Sequence, residues 1–187
     1  RSTSSAASDV YKRQLYDRLA GRYTKALARS MAQTKQIKAA AVLNNAFTAG
    51  ASAGGDGVAL LSASHPTISG TQSNILSTAA DLNETSLEQA LIDIAGLQDE
   101  RGLKIAVRGT KLIIPKELQF IAERVLNSNL RVGTADNDAN AIKNMGMLPQ
   151  GAVVNHFLTD TDAFFIKTDA PNGLKYFNRA AIKTAME

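Results

Sequence analysis

LYDRLAGRYTKALARSMAQTKQIKAAAVLNNAF, Leu15 to Phe47, is the stretch on which the fold turns. It holds no proline, and its one glycine, Gly21, lies near the start. Ala, Leu, Lys, Arg and Gln dominate, all strong helix formers. Leu15, Leu19, Tyr23, Ala26, Ser30, Thr34, Ile37, Ala41 and Asn44 recur at three/four spacing. They predict one long helix with a narrow stripe, partly of small and polar residues. At 1.5 Å per residue the helix spans roughly 50 Å, more than the ~30–35 Å breadth of a compact domain of this length. It is therefore expected to be a spine, ended by Gly50, Gly54, Gly55 and Gly57.

Upstream, residues 1–14 read as foreign. RSTSSAAS lacks the apolar core of a secretory signal. Ser4 to Gln14, SSAASDVYKRQ, matches one reading frame of a transposase-type sequencing adapter. Residues 1–14 are thus expected to be an adapter-derived tail fused to a truncated gene, the competing reading being a native disordered tail.

Downstream, residues 49–80 are rich in Gly, Ser, Thr and Ala and read as an ordered loop with a strand fragment at Val58–Leu61. Thr85 with Glu88 fits a capping box for a second helix striped by Leu87, Ala90, Leu91, Ile94 and Leu97. Leu103–Val107 and Lys111–Ile114 read as strands, and Pro115 as the first turn of a third helix with Leu118, Ile121, Ala122, Val125 and Leu126 inward. Residues 127–151 are mostly loop, with a short helix around Asn137–Asn144. Val153–Leu158 and Ala163–Thr168 are expected to pair as a hairpin, Pro171-Asn172-Gly173 to turn, and Leu174–Asn178 to add a strand. The class is α+β: a long helix, then a mixed sheet with two flanking helices.

Composition removes whole classes of chemistry. The 187 residues include no cysteine, which excludes disulfides, thiolate metal sites and cysteine nucleophiles. The two histidines, His65 and His156, cannot build a three-histidine metal site. No run approaches the ~18–20 apolar residues of a membrane span. The net charge of +4 is unevenly placed: residues 1–48 carry nine Lys/Arg against two Asp, residues 49–187 twelve against fifteen Asp/Glu.

Each candidate for chemistry has a plainer reading beside it. His65, near Ser62 and Ser64, would need an orienting carboxylate and a nucleophile to act as a base; a loop-fixing hydrogen bond is the plainer role. His156 reads as a satisfied sheet histidine. Asp160 and Asp162, with Asp169, Asp136 and Asp138, are the acidic groups a metal could use, but the Gly and Glu of a calcium loop are missing. The Gly50–Gly57 run lacks the Lys-Ser/Thr of a phosphate loop. No catalytic, metal or cofactor residue is assigned. The sharpest signal is Arg18, Arg22, Lys25 and Arg29, which share one helix face. That face suits contact with phosphates or with another subunit's acidic patch; the alternative is a solvated face.

From Asp56 onward the order of motifs resembles the major head subunit of tailed bacteriophages, in the Mu-like branch. The motifs are Asp56-Gly57-Val58-Ala59-Leu60-Leu61-Ser62 before His65-Pro66, Ser73-Asn74-Ile75-Leu76, Asp99-Glu100-Arg101-Gly102-Leu103, and Leu112-Ile113-Ile114-Pro115-Lys116-Glu117-Leu118. Ala122-Glu123-Arg124, Leu130 to Asp138, Val154 to Asp160 and Thr168 to Lys175 follow. The resemblance implies a fragment of the Hong Kong 97-like capsid fold: a peripheral part at 15–80 containing the spine helix, and an axial domain at 81–187. It implies a non-enzymatic shell subunit, assembled with copies of itself into pentamers and hexamers in the bacterial host cytoplasm and residing in the virion. Scaffold, portal and maturation protease are the implied partners, with packaged DNA held non-specifically at the inner face and no membrane. Family members also carry an N-terminal arm, an extended loop and a returning C-terminal segment, which this chain is expected to lack. An encapsulin-like compartment shell, a nucleic-acid-binding module using the basic helix, and a hydrolase built on His65 or the Asp160/Asp162 pair are the alternatives.

The adapter reading has a direct check. Sequencing the locus from DNA never joined to adapters should show different codons upstream of Leu15; recovery of SSAASDVYKRQ would overturn it.

Overall fold

The computed structural model describes residues 3–50, 55–131, 135, 138–171, 173–177 and 179. The chain divides into two units, Arg1–Ala39 with Tyr176–Glu187, and Ala40–Lys175. The described residues form helices and mixed sheets, an α+β arrangement.

The first unit is dominated by helix α1, Thr3–Asn44, whose 42 residues extend about 63 Å. The helix begins earlier than the sequence pattern predicts and ends three residues sooner. Thr24 and Thr34 return their hydroxyls to Ala20 O and Ser30 O, so neither competes with the helical backbone. The expected packing stripe is largely bare: Leu19, Tyr23 and Ile37 are exposed. Among the described side chains, those at its C-terminal end pack within the second unit. There Ala40 and Ala46 are buried, and the Asn44 amide donates to Phe157 O (3.0 Å) and accepts from Thr159 N (3.1 Å). Asn45 folds back onto Ala41 O through both its backbone and its side chain, and Leu61 N donates to Ala46 O. These bonds end the helix before the glycines are reached.

In the second unit the segment after α1 holds a short antiparallel hairpin, β1 (His65–Thr67) and β2 (Gly70–Gln72). Val58–Leu61 is not a strand; Leu60 O and Ser62 instead bond to Asn74. Helix α2, Glu84–Ala95, is capped by Asn83 and Ser86, not by Thr85 and Glu88. Asn83 Oδ1 accepts from Ser86 N (2.8 Å), and Ser86 Oγ accepts from Asn83 N (3.0 Å). Leu82 and Leu87, flanking the cap, both reach the core, a hydrophobic staple that fixes the earlier start. Leu103–Val107 forms no strand: a single bridge links Lys104 to Gln98, and Ala106 has φ +49°.

The sheet is built on β3, Gly109–Ile114, with β4 (Ala152–Val154) parallel on one side and β5 (Phe165–Thr168) antiparallel on the other. The expected hairpin is therefore wrong: β3 lies between the two strands assigned to it. Alternation along β3 sends Leu112 and Ile114 into the core. A 3₁₀ turn (Lys116–Leu118), α3 (Gln119–Asn127) and α4 (Ala141–Met145) make the crossover that a parallel β3/β4 pair requires. Pro115 precedes the 3₁₀ turn, and Leu118, Ala122 and Val125 are inward as expected. Asn140, 1% exposed, caps α4 through Lys143 N and donates to Val125 O, tying α4 to α3. On the opposite sheet face Phe165 meets Phe47, ring centroids 6.3 Å apart. Leu174–Phe177 is not a strand; Asn137, Asn172 and Asn178, parts of other sequence expectations, lie outside the described residues.

Gly109 has no room for a side chain. A Cβ there would meet Leu91 Cδ2 at 2.8 Å, Ile166 Cγ2 at 3.0 Å and Leu148 Cδ2 at 3.3 Å. Gly109→Val is expected to cost about 1–3 kcal/mol in urea unfolding, and Gly55→Val, in open space, far less.

Candidate functional site

The four candidate cations lie on α1. Arg18, Arg22, Lys25 and Arg29 are all exposed, and no ion pair among the described residues includes any of them. Their i, i+4 and i, i+3 spacing puts like charges side by side, which opposes the helix by tenths of a kcal/mol per pair. The helix also exposes Tyr16 (74%), Tyr23 (70%) and Leu27 (53%).

His65 does make a loop-fixing bond. Its Nδ1 lies 2.7 Å from Asp56 Oδ2, a pair nine residues apart that the sequence reading did not connect. The histidine beside it, then the N–H of Val58, hold the Asp56 carboxyl below its ordinary range. An orienting carboxylate is thus present, but the nucleophile is not: His65 Nε2 is buried without a hydrogen-bond partner, while Ser62 Oγ faces Ser64. The dyad closes a braced loop. Asn74 joins Leu60 and Ser62 by side chain and backbone, Ser69 N donates to Glu100 O, and Gln72 Nε2 donates to Asp99 O.

The remaining candidates resolve into local structure. His156 is exposed and follows the end of β4. Asp160 Oδ1 accepts from the N–H groups of Asp162 and Ala163, the bonding of a turn former. Asp169 accepts from Arg108 N. Asp136 lies outside the described residues. Among the described residues no group of three His, Asp or Glu could hold a metal. The buried end of Glu84 pairs instead with Arg131, 3.2 Å from Nε to Oε1, and that hydrogen bond raises the guanidinium pKa; Asp138 is 4.0 Å away. No sequence signal links residues 47 positions apart.

The sequence model of a family described as phage capsid protein matches residues 11–185. No curated protein matches, and no solved structure does. Among the described residues no helix is long and apolar enough to cross a membrane.

The Asp56–His65 pair predicts an acid-sensitive loop. The lowered carboxyl contributes stability fully above its unfolded value of 3.8, and this is lost as pH falls through the lower folded value. Urea midpoints of the wild type and Asp56→Ala should differ at pH 6 and draw together as pH falls below 3.8.

Proposed function

The chain belongs to a phage capsid protein family, and from that premise we propose that it is a wall subunit of an icosahedral head with a Hong Kong 97-like fold. The family is structural, its members are shell components, and its place is the virion. The finer reading has pentamers and hexamers of this subunit, assembled in the host cytoplasm with scaffold, portal and maturation protease, enclosing DNA. Within that reading, the order of its motifs resembles the Mu-like branch.

The observation that carries the proposal is the family match over 11–185 together with the bare apolar stripe on α1. A shell subunit meets copies of itself through heterologous contacts that close into rings. Each contact can be modest, because many form at once. Tyr16, Tyr23 and Leu27 supply apolar area of the kind such contacts cover. The Asn44 clamp fixes the last turn of the helix within the second unit, so that turn is presented at a defined register. The peripheral part at 15–80 and the axial part at 81–187 are the corresponding assignments along the chain.

Assembly is the test. Sedimentation velocity and negative-stain microscopy of the purified protein should show rings or shells at micromolar concentration, and Tyr23→Ser/Leu27→Ser should shift the population to smaller species. A protein that stays strictly monomeric over the accessible concentration range would overturn the proposal.

A further inference from the structure

Two short backbone edges in the second unit end without partners, and both border one groove. In the β1–β2 hairpin Pro66 lies opposite Thr71. Proline has no N–H, so this pair cannot exchange two bonds, and the Thr71 N–H and C=O point away from β1. Residues 97–99 run antiparallel to 103–105. Ile105 N donates to Leu97 O and Asp99 N to Leu103 O, on either side of the Gln98/Lys104 bridge. That pattern turns the Gln98 N–H and C=O away from Lys104. No bond among the described residues uses the backbone N–H or C=O of Thr71 or Gln98.

Thr71 and Gln98 line an open groove of about 540 Å³ bordered by β2 and the end of α2. That volume is ordinary for a binding cleft. Ile75, Ile92 and Leu97 give it apolar walls, and Ile92 is 64% exposed. Its charge is negative. The Asp93 carboxylate accepts from the neutral Gln89 amide (2.8 Å) and enters no ion pair among the described residues. No Lys or Arg lines the groove, and α2 has no basic residue in its last turn to offset the negative end of its dipole.

We propose that this groove takes an extended, basic segment of another protein as an added strand. Main-chain bonds to the Thr71 and Gln98 edges hold the segment. Alternate aliphatic side chains lie on Ile75, Ile92 and Leu97, and a Lys or Arg faces Asp93. A helical ligand would leave both edges unpaired, because its own backbone groups are already bonded. The same reason sets this chain's most concentrated cations aside as the source. They lie on α1, whose backbone groups are spent within the helix. The proposal stands independently of the shell reading and adds a partner other than copies of the chain.

The experiment presents the labelled full chain to an array of capped synthetic heptapeptides of randomised sequence. The strongest binders are then measured by fluorescence anisotropy. They should carry a Lys or Arg among aliphatic residues at alternate positions. Methylating their backbone nitrogens at alternate positions should weaken them about tenfold or more, the worth of a lost main-chain bond. Asp93→Lys should weaken the cationic binders by a similar factor. Thr71→Pro removes a donor that the hairpin does not use, and should do the same with the urea midpoint little changed. If that variant fails to fold, the methylated peptides and Asp93→Lys still decide. An array without binders overturns the proposal, and so do binders that are acidic or indifferent to backbone methylation. Binding that survives Asp93→Lys unchanged overturns it too. Loss of self-association by Asp93→Lys in sedimentation velocity would assign the groove to a second copy and overturn it equally, leaving the shell reading intact.

Discussion

Gly109 opens the central strand where a side chain would collide, and Leu91, Leu148 and Ile166 close over the gap. That approach lets α2 and the segment after α4 reach the same face of β3, so that Leu112 and Ile114 lose all contact with water. Buried aliphatic side chains of this size each contribute about 1.5–3 kcal/mol. The core of the second unit is thus organised by one strand whose first residue is small and whose alternate residues are large. β4, β5 and the α3–α4 crossover follow from the need to pair that strand on both edges and cover its apolar face.

Outside this core, side-chain amides do much of the joining. Asn44, Asn74, Asn83 and Asn140 each use an amide oxygen as acceptor and an amide nitrogen as donor. The four residues fix respectively the end of α1, the Ser-rich loop, the start of α2 and the start of α4. A neutral amide holds two strands of irregular backbone without the desolvation cost of a buried charge. The one nearly buried carboxylate described, Glu84, is matched by Arg131. Carboxylates at Asp99 and Asp160 likewise hold turns, and Asp169 accepts from Arg108 N, 61 positions away.

Helical parts of the fold were legible because their signals are local. The continuous run of helix formers marked α1, the Leu87/Leu91 repeat marked α2, and Pro115 with Leu118, Ala122 and Val125 marked the path into α3. The apolar run Lys111–Ile114 marked β3. Strand partnership was not legible. Val153 and Phe165 looked like neighbours across a short turn, yet both align with Ile113 of a strand some forty residues earlier. Of the candidate site, the basic face of α1 could be read from spacing alone. The Asp56–His65 and Glu84–Arg131 pairs could not, since nothing in either local sequence names the partner.

By itself the sequence determined that this is an α+β chain without cysteine chemistry, bearing one overlong helix with a cationic face, and its motif order pointed to a phage head subunit. Those properties depend on residue identity and on the 3.6-residue period, both of which are local. Tertiary structure decided that the described side chains of the helix stripe are largely bare before the last turn, that β3 separates β4 from β5, and that Asp160 is a turn former while Asp56 and Glu84 are pair partners. The physical reason is that burial, strand pairing and ion pairing are set by which distant segments come together, and a core such as that around Gly109 forms only once they have.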